Sequence, residues 1–329
     1  MSWTRRRFVL QTVGLTTLAG CARQAGQAAW PTGPVRLVVP FGAGTSADLA
    51  ARVFAPRLAS RWQQSVVVDN RPGGDGVAGA QTFVEARDPN ALFFSPMGIV
   101  TTSAWLHGRL PFDPDADLVP IAAAVRPNIA IAAASSLGAS SLSALVALVR
   151  DHADDYVWSA TPGLPTLVFR GFLKVEALAM RHVAYRDIAP AVRDLDAGRL
   201  HLLVAAIPTL TPALTSGGAR LLAVTTSTRA RSWPDVPTTG EAGYPALTVE
   251  GPFGLFGGRG MPAALRQRIA ADVRAASTDP ELTARLTRAG FAIEASTPEA
   301  FEAALAAQRR QVDGLARLVG LSRPEEPTR

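Results

Sequence analysis

The stretch richest in chemical potential is Val35-Arg-Leu-Val-Val-Pro-Phe-Gly-Ala-Gly-Thr-Ser-Ala-Asp48. Residues 35–39 read as a buried strand. Pro40, Gly42 and Gly44 make a sharp turn, and a helix then starts with Thr45 or Ser46 as its capping hydroxyl. Glycines let backbone N–H groups face a cleft without a Cβ in the way, and a helix start adds partial positive charge, so the stretch can hold a small anion. Three readings stay open. Gly42, Gly44 and Ala47 fit the G-x-G-x-x-A spacing of a dinucleotide turn, and the run 66–68 ends in Asp69, where an acid would meet a ribose hydroxyl; this is an exported NAD(P)-dependent oxidoreductase using Gly42-Ala43-Gly44. The same anion physics also serves a carboxylate receptor without chemistry, or a tight turn without any ligand. Asp48 either binds a ligand amino or hydroxyl group or caps its own helix.

Other chemistry is sparse. His107, His152, His182 and His201 show no metal-ligand spacing, and no G-x-S-x-G elbow presents a serine nucleophile. Cys21 is the only cysteine, so no intramolecular disulfide and no cysteine metal site can form. These features give no catalytic residue, metal or cofactor. The net charge of +6 falls to +3 when Arg5, Arg6 and Arg7 leave with residues 1–20, which carry no other charged side chain. That balance permits acidic ligands, and without basic residues interleaved with aromatics it gives no nucleic-acid surface.

The chain opens with an address. Thr4-Arg5-Arg6-Arg7-Phe8-Val9-Leu10 is a twin-arginine head, followed by an apolar run too short to span a membrane. Leu18-Ala19-Gly20-Cys21 looks like a bacterial lipobox. The reading is therefore a signal peptide over 1–20, a tether over 21–29 lipidated at Cys21, and a cell-envelope or periplasmic location, with the membrane met only through the lipid.

The elements that position the loop alternate. After a surface helix carrying Leu49, Ala50, Val53, Phe54 and Leu58 come strand 66–69, the loop 70–76, a helix over 77–86 and strand 91–95. The second part repeats this: strand 129–134, helix 142–150, strand 156–159, loop 160–166, a helix to about 178, a strand closed by His182-Val183-Ala184-Tyr185-Arg186, helix 189–197 and strand 200–207. Then follow strand 221–225, an extended run 249–256, and helices over 263–276, 280–289 and 298–318. Alternation of this kind predicts α/β domains, each a mainly parallel sheet flanked by helices, with ligands beyond the C-terminal strand ends.

Several pieces together resemble the Bug family of periplasmic solute receptors, the substrate-binding components of tripartite tricarboxylate transporters. They are Trp30-Pro with Pro34-Val-Arg-Leu-Val-Val-Pro-Phe41 and Asp48, Val66-Val-Val-Asp-Asn-Arg-Pro-Gly73, Phe112-Asp-Pro with Asp117-Leu-Val-Pro120, Leu222-Ala-Val-Thr225, Trp233-Pro-Asp-Val-Pro-Thr238, Glu241-Ala-Gly243 and Thr297-Pro-Glu299. The resemblance covers about 30–321. It implies a two-domain, hinged periplasmic-binding-protein-like clamp without catalysis, with 30–127 and 252–329 forming one domain and 128–251 the other. It further implies a monomer that holds a small carboxylated solute and meets an inner-membrane transporter or sensor. Carried over by position, the first-domain contacts are Phe41, Gly42, Ala43, Gly44, Thr45, Ser46 and Asp48, with Ser95, Pro96, Met97 and Gly98. The second-domain contacts are Thr161, Pro162, Gly163, Thr166, Tyr185 and Arg186. This chain departs from the family at Gly42, Ala43 and Thr45, which replace a loop richer in proline and glycine, at Leu167 for a common histidine, and at Arg186-Asp187 for a Lys-Gly pair.

Overall fold

The structure, a computed structural model, describes residues 30–322. The expected leader, lipobox and tether lie outside the described residues. In chain order the elements are β1 (Val35–Val39), α1 (Ser46–Trp62), β2 (Val66–Asn70), α2 (Val77–Ala86), β3 (Ala91–Pro96), the short α3 (Gly98–Thr101), α4 (Ser103–His107) and α5 (Pro114–Asp117), and β4 (Leu118–Pro127). Then come β5 (Ile129–Ala134), α6 (Leu142–Val149), β6 (Val157–Ala160), α7 (Leu164–Glu176), β7 (Arg181–His182), α8 (Ile188–Asp196), β8 (Leu202–Ala206), α9 (Ile207–Ser216) and β9 (Ala219–Val224). The chain ends with β10 (Phe253–Gly258), α10 (Ala263–Ala276), α11 (Pro280–Arg288), β11 (Phe291–Ile293) and α12 (Pro298–Leu318).

Two sheets result. The first has the order β11-β4-β10-β3-β1-β2 and the second β7-β6-β8-β5-β9. Each is an apolar layer covered on both faces. Phe54 and Leu58 of α1 with Ile269 and Val273 of α10 pack on one face of the first sheet, and Phe83 of α2 with Phe301 and Leu305 of α12 on the other. In the second sheet α6 and α7 cover one face, and α8 and α9 the other.

The expectation of mainly parallel sheets is corrected. Only β2-β1-β3 and β7-β6-β8 run parallel; β10 is antiparallel to β3 and β4, β11 to β4, and β5 to β8 and β9. A parallel neighbour needs a crossover helix of a dozen or more residues. Here β4 passes straight into β5 across Asn128, so a single ribbon serves both sheets. The return segment β10 travels the other way and therefore pairs antiparallel.

Sequence reading missed β4, whose Ile121-Ala-Ala-Ala-Val125 centre between Pro120 and Pro127 lacks β-branched density. Its pairing with β10 shifts register twice, once between Leu255 and Phe256, next to Pro120. Helix α9 was also missed because Pro208 and Pro212 punctuate it; Pro208 lies in the first turn, where no intrahelical N–H is lost. The three-residue edge strand β11 was too short to leave a pattern.

Candidate functional site

A cavity of about 990 Å3 opens between the two sheets. Its walls are the loops after β1, β2, β3, β6, β7 and β8, at the C-terminal ends of strands in both sheets. Helices α1, α3, α4, α7, α8 and α9 begin there. Thr45, Ser46 and Ala47 at the start of α1, Gly163 and Leu164 at α7, Asp187 and Ile188 at α8, and Ala206 at α9 all line it.

Local chemistry explains each start. Thr45 caps α1, its Oγ1 accepting the Asp48 N–H at 3.4 Å. The Ser46 and Ala47 amides meet no acceptor among the described residues. At α7 the cap is Gly163, with φ +87°, which leaves the amides of Gly163, Leu164 and Thr166 equally unmatched. A side chain there would be strained, and its Cβ would stand 3.2 Å from Thr102 Oγ1 on the opposite wall. Buried N–H groups without acceptors are uncommon, and here two sets of them border one cavity.

Of the residues expected at the site, Phe41, Gly42, Ala43, Thr45, Ser46, Pro96, Gly98, Thr161, Pro162, Gly163, Tyr185 and Arg186 line the cavity. Five do not. Asp48 is 2 % exposed; it accepts the Gly44 N–H at 2.9 Å and Asn70 Nδ2 at 3.0 Å, and pairs with Arg52 at 2.9 Å. Burial raises its pKa, yet the hydrogen bonds from Arg52, Gly44 and Asn70 outweigh that and hold the carboxyl below the usual range. Both acceptor oxygens are thus committed to shaping the loop. Gly44 spends its N–H on Asp48, and its φ of +81° fixes the turn rather than clearing space, since a Cβ there would meet nothing within 4 Å. Ser95 is fully buried and donates to its neighbour's carbonyl, Pro96 O, at 3.1 Å. Met97 sits in the apolar cluster beneath the first sheet. Thr166 turns its hydroxyl to Thr161 O at 3.2 Å, bracing the loop.

Tyr185 borders the cavity with its hydroxyl already engaged. The hydroxyl donates to Asp194 Oδ2 at 2.8 Å, and burial together with that carboxylate pushes the phenol up to about 12. Arg186 lines the cavity and forms no ion pair among the described residues.

Several lining residues escaped the sequence reading. Gln308 of α12, 2 % exposed, accepts from Thr101 Oγ1 at 2.6 Å and donates to Glu250 O at 2.6 Å, tying three distant segments beside the cavity. Asp75 and His107 pair at 3.2 Å on the first wall. Asp187 and the α9 start complete the second wall. Only Asp187 had a sequence signal, as a departure from the family pattern.

The dinucleotide arrangement is not assembled. Asp69 pairs with Arg71 at 2.9 Å and Arg36 at 3.4 Å and does not line the cavity. Among the described residues no group of three or more His, Cys, Asp or Glu could hold a metal ion, and no helix is long and apolar enough to cross a membrane.

Residues 50–314 match the family described as tripartite tricarboxylate transporter family receptor. A UPF0065 protein of Bordetella bronchiseptica is 31 % identical over 265 residues, 79 % of this chain and 78 % of its own length. The Rpa4515 protein of R. palustris, solved with adipate, superposes with a TM-score of 0.84 at 28 % identity, covering 89 % of this chain and 99 % of that one. The periplasmic binding protein BugD superposes with a TM-score of 0.81 at 26 % identity, over 89 % and 99 % of the two chains.

Proposed function

This chain belongs to the tripartite tricarboxylate transporter receptor family, and from that premise we propose that it is a periplasmic receptor, without catalysis, that captures a small carboxylated solute between two domains and presents it to an inner-membrane transporter or sensor. The observation that carries the reading is the convergence of several helix starts, with unmatched amides at α1 and α7, on one cavity. Such starts attract anions through oriented N–H groups and partial positive charge, without needing a lysine or arginine cage. The R. palustris relative solved with adipate supports a carboxylate. In this reading the domains are 30–127 with 252–329, and 128–251, hinged where the chain crosses near Pro127 and Gly251. Residues 1–20 are a leader, and Cys21 carries lipid that anchors the receptor to the membrane.

The grip is mainly by backbone. Ser46→Ala removes one hydroxyl at a helix start and costs at most about 1.5 kcal/mol of binding. The test is a thermal-shift screen of mono-, di- and tricarboxylates, in which a ligand at 100 times its Kd stabilises the native state by about 2.7 kcal/mol. A panel without any stabilising carboxylate overturns the reading, and loss of all binding in Arg186→Ala alone overturns the backbone grip.

A further inference from the structure

The cavity's charges do not suit a polyanion. Besides Tyr185, whose hydroxyl is held by Asp194, its ionisable lining side chains are Asp75, His107, Arg186 and Asp187. Asp75 lies 3.2 Å from His107, and Arg186 and Asp187 stand side by side in sequence at the start of α8. Asp187 caps α8, but its oxygens accept no hydrogen bond from that helix's own amides. Instead it reaches across the cleft: its Oδ1 stands 3.8 Å from the place a Cβ would take on Gly42, in the loop ahead of α1. The protein itself thus brings a carboxylate to one anion-favouring end of the cavity. The α7 start keeps the unmatched amides of Gly163 and Leu164 at the cavity.

Much of the lining is apolar, alongside the polar Thr102, Ser103, Ser159, Thr209 and Gln308. Phe41, Ile99, Leu106, Ile129, Leu164 and Phe253 face the space. At about 990 Å3 the cavity is at the upper end of ordinary ligand sites, which bury most of a drug-sized molecule against apolar walls. A two- to four-carbon diacid leaves most of that surface wet. A chain or ring with one carboxylate covers it and meets only one anion-binding end.

Building on the receptor reading, we infer that the ligand is a monocarboxylate with an apolar body, and that Asp187 is the residue that rejects a second carboxylate. A diacid spanning the cavity would set its far carboxylate against Asp187, and like charges at close range in a partly dry site repel strongly.

Hexanoate and adipate test this directly, because they share a six-carbon chain and differ by one terminal carboxylate. Calorimetry on the full mature protein is expected to show hexanoate binding at least about tenfold more tightly than adipate, the scale of one such like-charge contact. Asp187→Asn keeps the side-chain shape and is expected to raise the affinity for adipate relative to hexanoate about tenfold. Adipate ahead of hexanoate in the unaltered protein, or an unchanged ratio in Asp187→Asn, overturns the inference and leaves the carboxylate receptor standing. Absence of binding by every mono-, di- and tricarboxylate tried overturns the receptor reading and this inference with it.

Discussion

Asp48 shows how a residue in a ligand-like position can serve the loop instead. Its carboxylate organises Gly44, Asn70 and Arg52, and Asn70 also donates to Phe41 O at 2.9 Å. Asp48→Ala leaves a buried N–H and an amide unpaired and is expected to cost roughly 1–3 kcal/mol of stability, read by denaturant melts. If its role is structural, a ligand that still binds the variant does so with nearly unchanged enthalpy. His201 makes a different residue-scale statement. Its Nδ1 accepts the Val157 N–H at 2.9 Å, which only the uncharged ring can do, and burial pushes the imidazole below its ordinary value. With the folded pKa depressed, the unfolded chain takes up the proton first. This contribution is therefore complete above about pH 6.5 and is lost as pH falls below it. His182, lowered by burial and by Arg170 against an opposing Asp75, acts in the same direction. Melting curves between pH 7.5 and 5.5 should fall less steeply for His201→Asn, whose oxygen can still accept the Val157 N–H; an identical slope removes His201 from the account.

At the scale of elements, α12 is the unexpected member. Phe301 and Leu305 in its first half pack under the first sheet, whereas Val312 and Leu315 in its second half lie in the core of the second. Its 21 residues therefore pack against both layers. The helix was legible because its apolar positions recur at helical spacing and Thr297 caps it, Oγ1 accepting the Ala300 N–H at 3.2 Å. Its two partners were not legible, since periodicity identifies a buried stripe without saying what covers it. Leu315→Ala is expected to destabilise by roughly 2–5 kcal/mol, as for other buried leucines. Because that site braces the second sheet, hydrogen exchange should rise in α7 before it rises in α1; uniform acceleration counts against α12 as a link between layers.

For the whole molecule, three passages join the sheets: β4 into β5, the return through Gly251 into β10, and α12. Hinged pairs of this kind close by rotation of nearly rigid bodies. Small-angle scattering with a saturating carboxylate that also shifts the melting temperature should show a smaller radius of gyration, and an unchanged radius means the cleft is closed beforehand. The sequence alone determined the alternation of strands and helices, the glycine turn before α1, a hydroxyl cap at Thr45 or Ser46 and most of the loops that line the cavity. These follow from periodicity, φ preference and short-range hydrogen bonding, all of which act within a few residues. Tertiary structure decided the strand directions of β4, β5 and β10, the two-layer packing of α12, the diversion of Asp48 and Gly44 into the loop's own bonds, and the arrival of Asp187 beside Gly42. Each depends on partners far away in the chain, and neither spacing nor composition carries the distance between segments that meet only after folding.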